Sequence, residues 1–115
     1  MNQLDIPILK ITFDLYKTFH SYHRIVPKPE RFIIYEKGSN LILNVVELLI
    51  EASYTNKNRK VEILEKASLK LNTLRFIIRL MKDTKTFNMK QYIALQELID
   101  ETGRMLGGWI RSNTN

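Results

Sequence analysis

The chain has 115 residues, near the commonest length for one domain, so a single core spanning residues 1–115 is expected and two are not. Its 44% apolar content is that of a globular protein, and 26% charged residues with only four glycines and three prolines are too helix-friendly for a sheet-rich domain. Eighteen Lys and Arg against twelve Asp and Glu leave a net charge of +6, which suits an anionic partner, while the lack of cysteine excludes a disulfide framework and thiolate metal sites.

The opening Met1-Asn-Gln-Leu-Asp5 has neither the basic start nor the apolar stretch of a secretory signal. No apolar run comes near the roughly 20 residues needed to span a bilayer. A soluble, cytoplasmic protein without membrane association is the expectation.

A first helix is predicted from about Ile6 to His23, with Pro7 tolerated in the opening turn, where its missing N–H would have had no helical partner. Ile8, Leu9, Phe13, Leu15, Tyr16, Phe19 and Tyr22 recur at three- and four-residue spacings and give it one apolar face. Pro27-Lys-Pro29 ends this segment and prepares a new start at Glu30, whose carboxylate suits a helix N-terminus. The second helix is predicted over about Glu30 to Tyr54, with Phe32, Leu41, Ile42, Val45, Leu48, Leu49 and Ala52 on its apolar face. Gly38 interrupts it at a cost of about 1 kcal/mol relative to Ala and marks a bend or a close helix contact.

Thr55-Asn-Lys-Asn58 is a polar turn leading into Leu64, Ala67, Leu71, Leu74, Ile78 and Met81, spaced alternately three and four apart, the seam of a helix packing at a shallow angle in a bundle. The pattern breaks from Asp83 to Phe87, and Asn88 with Gln91 reads as a capping box that opens the fourth helix. Tyr92, Leu95, Ile99, Thr102, Leu106 and Trp109 then repeat the same spacing. Short loops between four helices imply antiparallel neighbours, so the predicted fold is an all-α, up-down-up-down four-helix bundle.

Catalytic chemistry finds no support. His20 and His23 lie three apart on one helix, but no Glu-x-x-His or His-Glu-x-x-His pattern accompanies them, so they read as ordinary imidazoles and no metal or cofactor is expected. Glu47 and Glu51 are better explained by pairing with Arg75 or Arg79 of a neighbouring helix than as an acid–base pair. Gly103, Gly107 and Gly108 lie within a helical pattern, with no preceding strand and no following Lys-Ser or Lys-Thr, so they do not form a phosphate loop. Gly103 and Gly107 instead leave a smooth strip for close approach of another helix. None of the serines sits in a glycine elbow.

The basic residues carry more information. On the third helix Arg59, Lys66 and Lys70 line one flank of the seam and Arg75, Arg79 and Lys82 the other, with Lys57, Lys60 and Lys85 at the ends. Only Glu62, Glu65 and Asp83 oppose them between Lys57 and Lys85, a surplus beyond what solubility asks for. A polyanion is the partner this pattern fits. The aromatic residues fall mostly at core spacing, so stacking on bases is not expected.

Three stretches resemble a known family: Val46-Glu-Leu-Leu-Ile-Glu-Ala-Ser-Tyr54, Leu74-Arg-Phe-Ile-Ile-Arg-Leu80 and, most specifically, Thr102-Gly-Arg-Met-Leu-Gly-Gly-Trp-Ile-Arg111. They resemble the accessory variability determinant (Avd) proteins of diversity-generating retroelements, and the similarity runs from Pro7 to Arg111. It implies a four-helix bundle assembled into a basic homopentamer that binds RNA or DNA and the element's reverse transcriptase, without catalysing a reaction itself. It also implies that Arg75, Arg79, Arg104 and Arg111 are family arginines. The expected nucleic-acid-binding set is therefore Arg59, Lys60, Lys66, Lys70, Arg75, Arg79, Lys82, Arg104 and Arg111, with Gly103, Gly107 and Trp109 at a subunit contact. The competing expectation is a structural oligomerisation module of the kind encoded within ribosomal RNA intervening sequences, with no nucleic-acid role.

Overall fold

The computed structural model describes residues 5–114. Helix α1 is Asp5–Ser21, α2 covers residues 28–53, α3 is Lys57–Asp83 and α4 is Met89–Ser112, with a single 3-10 turn, His23–Ile25, between α1 and α2. No strand occurs among the described residues. Each helix packs on its neighbours in sequence and α1 closes the ring against α4, so the fold is the expected antiparallel four-helix bundle. Lys60 of α3 meets Trp109 of α4 at one end of the bundle, and Lys82 meets Tyr92 at the other, which fixes the two helices as antiparallel.

The two seams read from the spacing form the centre of the core. Leu64, Ala67, Leu71, Leu74, Ile78 and Met81 of α3 are all buried, as are Leu95, Ile99, Thr102, Leu106 and Trp109 of α4. On α2 the same alternation starts at Tyr35 and continues through Gly38, Ile42, Val45, Leu49 and Ala52, all buried. The side chain of Phe32 lies outside the described residues.

Helix α1 departs from the expected face. Thr12, not Phe13, takes the core position between Ile8 and Leu15, while Phe13 turns outward. A threonine can stand there because its Oγ1 lies 2.9 Å from the carbonyl oxygens of both Ile8 and Leu9, so its hydroxyl is satisfied within the helix. Thr102 uses the same device, donating to Leu98 O at 2.8 Å.

The start of α2 also differs. The helix begins at Lys28, two residues before Glu30, because Pro27 stands in extended conformation at the N-cap and Pro29 falls in the first turn, where its missing N–H costs nothing. One turn later the helix widens into a π-helical turn, Arg31–Tyr35. Tyr35 stacks on Phe19 of α1 with ring centroids 4.5 Å apart, and its hydroxyl donates to Phe19 O at 3.0 Å. Gly38 is the close contact anticipated from the sequence: a Cβ there would lie 2.8 Å from Phe19 Cζ. At the first residue of the wide turn, Arg31 reaches back, its Nε donating to Val26 O at 2.7 Å and its Nη2 to Arg24 O at 3.2 Å, so it ties down the connection to α1.

The remaining joints are capped as their residues dictate. Asn56 accepts a bond from Arg59 N to open α3. Asn88 and Gln91 form the reciprocal capping box at α4, with bonds of 2.8 and 2.9 Å. Phe87, in the loop before α4, is buried against Phe19 and Tyr22 and plugs that end of the bundle.

Candidate nucleic-acid interface

The ring of helices sends the two flanks of α3 to different neighbours. Arg75, Arg79 and Lys82 lie on the side of α4, where Arg75 and Arg79 line a small cleft with Phe76, Tyr92 and Gln96. Arg59, Lys66 and Lys70 lie on the opposite flank, toward α2, so the basic residues of α3 do not form one patch. Arg104 and Arg111, seven residues apart, share the outer face of α4, and both are exposed.

Several of these cations are already engaged. Arg75 Nη1 pairs with Asp100 of α4, Arg79 Nε lies 3.3 Å from Asp83 Oδ1, and Lys82 Nζ lies 3.9 Å from the same carboxylate. Lys82 also sits over the Tyr92 ring, 5.1 Å from its centroid. Arg104 holds Glu101 through two nitrogens, one of them 2.9 Å from the carboxylate. This hydrogen bond, more than the attraction between the charges, holds Glu101 below its ordinary carboxylate range and raises Arg104 above its own. Lys60 is half-buried over the Trp109 ring at 5.7 Å. Among the described residues Arg59, Lys66, Lys70 and Arg111 have no carboxylate within ion-pair distance. Exposed ion pairs are worth only about 0–1 kcal/mol, so a phosphate can displace the carboxylates from Arg75, Arg79 and Arg104 at small cost.

Glu47 and Glu51 are not the acids that hold Arg75 and Arg79. Both are exposed on α2, whereas the two arginines point toward α4, and Asp100 and Asp83 take them instead.

The three residues expected at a subunit contact are not equivalent. Gly103 faces α3, where a Cβ would lie 3.3 Å from Arg75 Nη2 and 3.5 Å from Leu71 Cδ2. Gly107 is covered by Arg111 of its own helix, whose Nη1 lies 3.3 Å from where a Cβ would be, so it does not carry a second helix–helix approach. Trp109 is 8% exposed and packed in the core of its own chain, which leaves little of its ring for a neighbouring subunit. Apolar side chains do reach solvent elsewhere: Phe13, Ile50 and Tyr54 line a groove between α1 and α2 on the face opposite α3 and α4.

His20 and His23 are exposed and ring-stacked, His20 against Tyr16 at 6.0 Å and His23 against His20 at 6.5 Å. No group of three His, Asp or Glu side chains converges on a common point among the described residues. No described helix is long and apolar enough to cross a membrane.

Residues 8–113 match the model of the bAvd-like family. The chain belongs to this family. Its members are in general non-catalytic accessory proteins of diversity-generating retroelements. A comparison with curated proteins gives no match. The match covers all four helices and the arginines at 75, 79, 104 and 111. Phe76 and Gln96, which share the α3–α4 cleft with two of those arginines, were not among the residues expected to bind nucleic acid. Phe76 was readable as an aromatic off the seam, whereas the burial of the Gln96 amide left no signal in the sequence.

Proposed function

We propose that the protein is a cytoplasmic, non-catalytic accessory of a diversity-generating retroelement. It binds the phosphate backbone of RNA or DNA and the element's reverse transcriptase during mutagenic copying, and acts as a homo-oligomer, a pentamer by its family. Membership of the bAvd-like family together with the exposed arginines of the α3–α4 face carries this reading. Backbone binding needs exposed cations but no base-specific geometry, and Arg79, Arg104 and Arg111 are all exposed on that face. The apolar groove of Phe13, Ile50 and Tyr54 on the opposite face supports self-association, since subunits joined there would leave the arginines free. Repeating a few weak phosphate contacts around an oligomer raises their combined affinity, provided one nucleic acid reaches several subunits.

The test is a fluorescence-anisotropy titration of single- and double-stranded RNA and DNA at several salt concentrations. It compares the intact protein with a variant carrying Lys66→Ala, Lys70→Ala, Arg75→Ala and Arg79→Ala that circular dichroism shows to be folded. Affinity that falls steeply with salt, and a shallower salt slope in the variant, are expected, since each lost phosphate contact lowers the slope by about one. Equal binding by both proteins, or none by either at low salt, would assign the charge to solvation and subunit pairing, the behaviour of a structural module.

A further inference from the structure

We propose that the cleft between α3 and α4 seats one unpaired base of a single-stranded nucleic acid, with Phe76 as its stacking platform and Gln96 as its hydrogen-bonding partner. The proposal rests on the nucleic-acid reading above and adds a ligand feature to it.

Three observations meet at this one place. Phe76 is 76% exposed, so most of its ring is free to be covered, and it stands between Arg75 and Arg79 in sequence and beside them in the cleft. An exposed phenylalanine alone needs no explanation. Behind it, however, Gln96 Oε1 is buried and has no hydrogen-bond partner among the described residues. Buried acceptors are nearly always satisfied, and leaving one unpaired costs free energy that is recovered when the half-buried Gln96 side chain turns its amide oxygen toward a donor in the cleft. The third observation is the pair of guanidinium groups, which line the same cleft and pair only with surface carboxylates.

Together these groups match the parts of a nucleotide. A base offers a flat face to Phe76, and every standard base carries an N–H on its pairing edge that can donate to Gln96 Oε1. The phosphates on either side carry the negative charge that Arg75 and Arg79 attract. The cavity, about 150 Å³, suits one planar group and not a duplex, whose bases hide both faces in the stack and their edges in pairing. The seat therefore favours single strands and tolerates any sequence, because all bases share a π-face and an edge N–H.

The experiment uses the full chain with 2-aminopurine-containing single-stranded RNA and DNA and a matched duplex, for the wild type and Phe76→Ala, Phe76→Tyr, Gln96→Leu and Arg75→Ala/Arg79→Ala. Phe76→Ala is expected to weaken single-strand binding by about fivefold to a hundredfold, the range that alanine substitution of a stacking aromatic gives. It is expected to leave duplex affinity and the salt slope unchanged and to abolish the protein-induced change in 2-aminopurine fluorescence. Phe76→Tyr keeps the platform and should bind as the wild type does, while Gln96→Leu should lose single-strand affinity only. The double arginine variant should weaken both ligands and flatten both salt slopes. If Phe76→Ala binds single strands normally while the arginine variant is impaired, the base seat is wrong and backbone binding stands. If the wild type binds neither ligand at low salt, both readings fall. If Phe76→Ala changes the oligomer mass in light scattering, Phe76 is a subunit contact and the base seat is overturned.

Discussion

The guanidinium of Arg75 lies across the backbone of Gly103, its Nη2 3.3 Å from the place a Cβ would occupy, and the same group pairs with Asp100 one turn earlier on α4. Gly103 thus makes room for a cation, not for an apolar helix face. Its replacement by alanine pushes against the far end of a flexible side chain, which can swing aside, while removing the roughly 1 kcal/mol that glycine costs inside a helix. Gly103→Ala is expected to raise stability by up to about 1 kcal/mol in urea denaturation. A loss of more than about 1 kcal/mol would show that Arg75 is held rigidly.

Gly38→Ala should do the opposite. The new Cβ would meet the Phe19 ring at 2.8 Å, and that ring cannot retreat, because Tyr35 stacks on it and Phe87 packs against it edge-on. Overpacking of this kind costs about 1–3 kcal/mol, offset in part by the gain in helix propensity, so a net loss of about 1–2 kcal/mol is expected in the same assay.

The end of α3 carries a third measurable strain. Lys85 adopts φ 67°, with its N–H bonded to Lys82 O and that of Thr86 to Met81 O, each at 2.9 Å, the pairing of a helix terminus normally closed by glycine. A side chain costs about 1–2 kcal/mol in this left-handed conformation. Lys85→Gly is expected to raise stability by about 1 kcal/mol, less than the full strain because glycine loses more backbone freedom on folding, with thermal unfolding as the check.

These three sites mark where sequence reading reaches and where it stops. The seams of α3 and α4 were legible because a spacing of three and four suits one helix face only, and all but Tyr92 of their twelve positions are buried. The capping box at Asn88 and Gln91 was legible because both of its bonds are local. On α1 the four- and three-residue spacing of Ile8, Leu15 and Phe19 points to position 12, but the polarity of threonine masks it, because its hydroxyl is satisfied only by bonds inside its own helix. The π-helical turn at Arg31–Tyr35 likewise has no compositional mark. In the candidate interface the cations were legible as charge. Their partners were not, because Asp100 lies 25 residues from Arg75 and only the packing of two helices brings them together. Trp109 follows the α4 seam that predicted burial, and its place in the core agrees with that spacing better than with a subunit contact.

Tyr35 gives a pH-dependent prediction. Desolvation by burial, with a smaller contribution from Tyr16, pushes its phenol from 10.0 up to about 12. The folded state therefore keeps the proton between pH 10 and 12 while the unfolded chain releases it, so stability falls as pH rises through that window. Tyr35→Phe lacks this linkage. The stability advantage of the wild type over Tyr35→Phe is expected to shrink steadily between pH 10 and 12 and to stay constant from pH 7 to 9, read from urea midpoints at each pH. A constant difference across the whole range would show that the phenol titrates alike in both states.

Glu101 and Arg104 offer a test of whether intramolecular carboxylates compete with phosphate. Arg104 is exposed and Glu101 half-buried, and the carboxylate occupies two guanidinium nitrogens that a phosphate would use. Glu101→Gln removes the competing charge but keeps the side-chain shape. Exposed charges interact weakly in water, so nucleic-acid affinity at low salt is expected to rise by a few-fold at most. The gain should shrink as salt screens it. Acid does not imitate this substitution near pH 5. Because Arg104 holds Glu101 below the ordinary carboxylate range, the group stays ionised there, and its stabilising pairing is lost only as pH falls through the lowered value. The ratio of Glu101→Gln to wild-type affinity should therefore be the same at pH 5 and pH 7 in anisotropy titrations at fixed ionic strength. If that ratio collapses to one at pH 5, Glu101 has already taken up its proton and does not hold Arg104 there. If Glu101→Gln binds no more tightly than wild type at any pH, Arg104 does not contact the phosphate backbone.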